Sequence, residues 1–203
     1  MPFLRLLSLA FCVIALSAPS HAAASRPPNI IFILADDLGY GDIGAFGQKI
    51  IRTPNLDRLA AEGTSFTHYY AGASVCSPTR SVLMTGQHTG HTRVRGNHGR
   101  AGVERVPLRA QDVTVAESLK HHGYTTGIVG KWHLGFTTGK PDYNEELKPG
   151  PLEVGFDEFF GLPATNDRMP PVLIRNHRVL NLDPADPIRY SYDEAGAKRL
   201  GLV

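Results

Sequence analysis

The segment Ile30-Ile31-Phe32-Ile33-Leu34 does most to limit what this chain can become, because five consecutive large apolar side chains leave neither face of a strand for water. Regular alternation marks a half-buried antiparallel strand, whereas an unbroken apolar run marks a strand covered on both faces, as inside an α/β sheet. The run leads directly into Ala35-Asp36-Asp37-Leu38-Gly39-Tyr40-Gly41. Two carboxylates therefore stand just past the carboxyl end of an expected central strand, where open α/β sheets hold their ligands.

The punctuation that follows alternates helix and strand. Thr53 reads as an N-cap, Pro54 as the first helical residue, Leu56, Leu59 and Ala60 as one apolar face, and Gly63 as the stop. Phe66 to Tyr70 reads as a short strand. Pro78 to Thr85 forms a second helix closed by Gly86, which puts Cys76 at or just before its N-terminus. Gln87 to Arg109 has no convincing period and reads as a long loop rich in His and Arg. Thr114 and Glu117 have capping-box spacing, opening a helix that ends at Gly123. Tyr124 to Val129 is a further strand, delivering Gly130-Lys131-Trp132-His133-Leu134-Gly135. Lys131 and His133, two apart in extended chain, are expected on the same side. Beyond Thr137 the chain is Pro-rich and weakly patterned except for Gly155-Phe156-Asp157-Glu158-Phe159-Phe160-Gly161. The expected architecture is α/β, a mixed and largely parallel central sheet flanked by helices.

Residues 1–24 are read as an export signal: Arg5, the apolar run Leu6 to Leu16, then small-residue patterns ending at Ala24. The run is too short for a bilayer, which takes about 20 apolar residues. The mature protein is thus expected to be exported, periplasmic or secreted, with no membrane span after cleavage. A formal net charge of +2 gives no concentrated basic surface, which argues against a nucleic-acid partner. The chain has only two cysteines. Cys12 leaves with the signal, so Cys76 is a lone sulfur in an oxidising compartment, a liability unless buried, paired with another chain or chemically converted.

Three groups of residues are candidates for chemistry. Cys76-Ser77-Pro78-Thr79-Arg80 is the most specific, although a Cys-x-Pro-x-Arg match arises by chance about once in a hundred chains of this composition. A sulfur at a helix N-terminus, with the permanent cation of Arg80 one turn on, suits an anionic nucleophile or an anionic substrate group. The plainer alternative is a small buried cysteine ahead of a proline-started helix. Asp36 and Asp37 repel one another unless neutralised by a hard cation such as Ca²⁺ or Mg²⁺; the alternative is that one caps the turn and the other is solvated. Lys131 and His133 suit oxyanion binding and proton movement, or else are a surface lysine and a histidine stacked beside Trp132.

Taken together, Asn29 to Gly44, Thr53 to Tyr70, Cys76 to Gly90, Val113 to Gly135 and Gly155 to Gly161 resemble the N-terminal half of the type I sulfatases, the arylsulfatase-like branch of the alkaline phosphatase superfamily. The resemblance is clearest over residues 29–161. It implies that residues 25–203 are the N-terminal part of a catalytic domain, with 162–203 poorly patterned. It also implies a sulfuric ester hydrolase acting on aryl or carbohydrate sulfates. Cys76 would be oxidised by a dedicated maturation enzyme to Cα-formylglycine, whose hydrate is the nucleophile. Asp36 and Asp37, with residue 76, would ligate Ca²⁺ or Mg²⁺. Arg80 would stabilise the hydrate, Lys131 would bind sulfate, and His133 would deprotonate the remaining hydroxyl as the sulfated intermediate collapses.

The resembled proteins continue to a second Asp, an Asn or Gln, a leaving-group His and a further Lys. Asp167, Asp183, Asp186 and Asp193 do not sit in comparable contexts and are given no role. Two other readings remain open from sequence. One is a phosphate or phosphonate monoester hydrolase of the same superfamily. The other is an inactive sulfatase-like module that binds sulfated glycans through Arg93, Arg95 and Arg100.

Overall fold

The computed structural model describes residues 26–97, 106–137, 139–191 and 194–201. The signal segment, Arg100 and Asp193 lie outside the described residues. The chain divides into two compact units after Ile51.

In the first unit, Ile30–Leu34 does not form the expected strand. The segment has no regular secondary structure, and Ile31 and Ile33 are 85% and 81% exposed. A strand exists only within a ladder, and among the described residues no strand pairs with this one. Side chains suited to an interior strand are thus present without the neighbours that would bury them. Two short 3₁₀ turns follow, Tyr40–Asp42 and Gly44–Phe46, with the Tyr40 and Phe46 rings stacked at 4.4 Å.

The second unit opens with helix α1, Pro54–Glu62, bounded by Thr53 and Gly63 as the sequence requires. The Thr53 hydroxyl caps no backbone N–H and instead donates to Asp57 Oδ1 at 3.0 Å. Leu56 and Leu59 are exposed, so the apolar face of this helix is uncovered. Phe66 to Tyr70 is turn and coil, not the expected strand; Phe66, Tyr69 and Tyr70 are exposed and no ladder partner is present among the described residues.

Helix α2, Cys76–Thr85, ends at Gly86 in the left-handed conformation, φ +66°. Helix α3, Val115–His121, opens on the expected capping box: the Thr114 hydroxyl accepts from Glu117 N–H, and Glu117 accepts from Thr114 N–H at 2.8 Å. Strand β1 is Gly127–Lys131, later than the expected Tyr124–Val129, because Tyr124 N–H is still bonded to the end of α3 at Leu119 O. Val129 is 81% exposed, so β1 is not covered on both faces.

The four strands lie in the order β1-β2-β3-β4. β2 is Glu158–Leu162, β3 Ile174–Arg175 and β4 Arg178–Val179; β1 and β2 run parallel, while β2–β3 and β3–β4 are antiparallel. The sheet is mixed and the class is α/β. Gly130 and Gly161 face one another in register, and glycine is obligatory at 161: a Cβ there would stand 1.7 Å from the Gly130 carbonyl oxygen. That close approach is the physical content of the Gly161 position in the motif.

The weak patterning beyond Thr137 conceals much of the core. Tyr143, Leu147, Val154, Phe159, Ile174 and Tyr190 pack with Trp132, Leu134 and Phe136 in one buried cluster. The described residues after 162 are therefore structural, contributing the β3–β4 hairpin, a buried tyrosine and a short helix α4, Glu194–Arg199.

A clamp fixes how β1 and β2 begin. The Thr126 hydroxyl donates to Gly155 O at 2.8 Å, and Asp157 Oδ2 accepts from Thr126 N–H at 2.8 Å. Lys120, reaching from α3 to within 2.7 Å, together with the Thr126 N–H, holds the Asp157 carboxyl down at about 2.

Candidate active site

Cys76 is the first residue of α2, and its N-cap, Val75, has no side chain able to satisfy the helix's leading N–H groups. Its sulfur is half-buried and lies 3.2 Å from Nδ1 of His133. His133 follows the end of β1, is 2% exposed, and donates its backbone N–H to Pro163 O at 3.0 Å. Trp132 N–H likewise donates to Leu162 O at 3.0 Å, and its indole N–H to Gly135 O at 2.7 Å. The carboxyl ends of β1 and β2 thus lock the ring that meets the sulfur.

The expectation that Lys131 and His133 face the same side rested on extended geometry, which His133 does not have. Its φ of +57° ends the extended run, so two-residue alternation does not apply between them. His133 turns inward to Cys76 while Lys131 stays half-buried. Arg80, one turn into α2, donates from Nη1 to the Lys131 carbonyl at 2.6 Å, tying the helix to the strand. The structure therefore brings together Cys76, His133, Arg80 and the Lys131 backbone, residues that lie as many as 57 positions apart in sequence.

Sequence reasoning missed Asn97. Its Oδ1 accepts from Ser77 N–H at 3.0 Å, and its Nδ2 donates to Cys76 Sγ at 3.4 Å. It sits in a loop with no period, and nothing in the local pattern distinguishes it. The loop itself is anchored: Ser81 and Thr92 hydroxyls are bonded to one another, and Thr92 and Val94 are buried. Arg93 Nε donates to Pro107 O and Arg95 Nε to Thr92 O, so both guanidinium groups brace backbone. Asp167, which sequence left without a role, lies in the loop after β2. The Thr165 hydroxyl, with the charges of Arg168 and Lys131, holds its carboxyl below the usual carboxylate range.

Asp36 and Asp37 belong to the first unit and are exposed, Asp37 at φ +56°. Their oxygen-only donor chemistry suits a hard cation in kind. Among the described residues no group of three or more His, Cys, Asp or Glu side chains gathers to complete such a site.

The family described as Sulfatase matches residues 28–194, and the chain belongs to it. An N-acetylgalactosamine-6-O-sulfatase of Bacteroides thetaiotaomicron is 43% identical over 171 residues, 83% of this chain and 33% of that protein. Arylsulfatase A of Homo sapiens is 42% identical over 160 residues, 76% of this chain and 29% of that protein. A solved structure from work on glycosaminoglycan metabolism by Bacteroides thetaiotaomicron superposes with a TM-score of 0.75 at 43% identity, covering 80% of this chain and 34% of the other. The chain spans about a third of the length of these relatives.

Proposed function

We propose that this protein hydrolyses sulfate esters, through a formylglycine nucleophile made from Cys76. The observation that carries the reading is the meeting of the Cys76 sulfur with His133 Nδ1 at 3.2 Å, at the N-terminus of a helix whose Arg80 is bonded to Lys131. Formylglycine, when present, supplies a hydroxyl nucleophile where the thiol now stands. The buried imidazole of His133 is within reach of the side chain at 76 to accept its proton. Arg80 adds fixed positive charge one turn along, and Lys131 adds the cation that meets a sulfate oxygen.

Asp36 and Asp37 would hold a divalent cation, Ca²⁺ or Mg²⁺. Such a cation neutralises charge on the nucleophile and the transferred sulfuryl group. The substrate class is an aryl or carbohydrate sulfate. The names of the relatives favour a sugar or aromatic sulfate ester. We also propose that the protein is exported behind the signal at residues 1–24; no helix among the described residues is long and apolar enough to cross a membrane.

The test is to co-express the chain with a formylglycine-generating enzyme and weigh the peptide containing Cys76. Loss of sulfur to an aldehyde is the expected result. An intact thiol in every molecule overturns the nucleophile and favours a binding module. Parallel assays on an aryl sulfate and an aryl phosphate decide the ester, with faster phosphate turnover overturning the sulfatase reading.

A further inference from the structure

We infer that Asn97 is a positioning residue for the nucleophile at position 76, acting through both ends of one carboxamide. Cys76 and Ser77 are the first two residues of α2, and the N-cap Val75 cannot satisfy their N–H groups. Ser77 is 3% exposed, so its N–H has no water to fall back on. Asn97 Oδ1, arriving from 20 residues away, accepts that N–H at 3.0 Å and serves as the missing cap.

This contact also fixes the other end of the amide. A backbone N–H only donates, so the oxygen is the end that serves Ser77; Sγ of residue 76 then stands 3.6 Å from that oxygen and nearer to the nitrogen. Nδ2 stands 3.4 Å from Sγ, with its hydrogens available to an acceptor there. His133 Nδ1 approaches the same sulfur at 3.2 Å, so the group at 76 is held between an imidazole and a carboxamide. With an oxygen in place of sulfur, as the proposed function requires, the Asn97 N–H becomes a hydrogen bond that orients the hydroxyl and leaves the imidazole to take its proton. In this respect the inference rests on that reading.

The geometry separates a structural role from a positioning one. Asn97→Asp keeps an acceptor for Ser77 N–H, and a carboxylate suits a helix N-terminus, so the cap survives. The same change puts an anionic oxygen in place of the donor facing position 76. The measurement is the rate of Cys76 alkylation by iodoacetamide at neutral pH, on the unconverted full chain with Cys12→Ser so that Cys76 is the sole thiol.

The expected result is a thermal midpoint within about 2 °C of the parent and alkylation slowed on the order of tenfold, because the carboxylate repels the attacking sulfur anion. An unchanged rate in a folded N97D protein overturns the inference. Should N97D not fold, the parent chain decides alone. Alkylating Cys76 should move the Asn97 carboxamide NMR resonances and leave those of Asn144 unmoved, and an unmoved Asn97 overturns the inference. Neither measurement uses a sulfate ester or the matured residue, so failure here is distinct from failure of the sulfatase reading, which the mass of the Cys76 peptide reports.

Discussion

Thr126 offers the sharpest test of how this fold holds its site, because one hydroxyl joins the turn before β2 to the start of β1. Thr126 is 7% exposed, and the single hydrogen of its hydroxyl has the buried Gly155 carbonyl at 2.8 Å as its shorter acceptor and Asp157 Oδ2 at 3.1 Å as its longer one. The hydroxyl also accepts from Asp157 N–H at 3.2 Å, but that N–H has a better acceptor in Thr126 O at 2.9 Å. Thr126→Val keeps the shape and removes the hydroxyl. The accepted bond is therefore nearly dispensable, while the Gly155 carbonyl is left buried without this partner, a loss of about 1–3 kcal/mol.

Added hydrophobic burial of the new methyl returns a fraction of this, leaving about 2 kcal/mol net. With an m-value of about 2 kcal/mol/M in urea, the unfolding midpoint should fall by about 1 M. Trp132 is the only tryptophan and is 2% exposed, so its fluorescence reports the transition at the site itself. Thr126→Ser, which keeps the hydroxyl, should recover most of the loss. A T126V midpoint within about 0.25 M of the parent, or T126S falling as far as T126V, refutes the reasoning.

Two further outcomes follow from particular contacts. The folded Asp157 carboxyl sits at about 2 against an ordinary value of 3.8, so its contribution is fully present above the ordinary value and is lost as pH falls towards 2. Asp157→Asn should be less stable than the parent at neutral pH, and urea midpoints measured between pH 5 and 2 should show a shallower acid decline; parallel declines would contradict the Lys120–Asp157 pairing. Ile33 is 81% exposed, so Ile33→Lys should change the Trp132-monitored stability of this chain by no more than about 0.5 kcal/mol, a urea midpoint shift of about 0.25 M, and a loss of several kcal/mol would mean that the segment is buried after all.

Much of the site was legible in the sequence because its signals are local. The Cys-x-Pro-x-Arg spacing put Cys76 and Arg80 one helical turn apart, and the strand ahead of Lys131 promised delivery at a carboxyl edge. Asn97 was not legible, since its value depends on a helix N-terminus 20 residues earlier, left uncapped by Val75. His133 was identified, but its backbone was not: alternation presumes extended chain, whereas His133 has a positive φ and its N–H is bonded to the Pro163 carbonyl beyond the neighbouring strand.

The sequence by itself determined the helix boundaries at Pro54, Gly63, Gly86 and the Thr114–Glu117 capping box, because a proline start, a glycine stop and a capping box each act within about four residues. It determined the family through motifs of the same short range. Only the tertiary structure decided which apolar segments are buried. Ile30–Leu34 has the composition of an interior strand and lies exposed, while Tyr143, Ile174 and Tyr190, in stretches without a pattern, form core. The physical reason is common to both: a strand or a buried side chain is stabilised by distant partners that supply hydrogen bonds and exclude water, and no local pattern records whether those partners arrive.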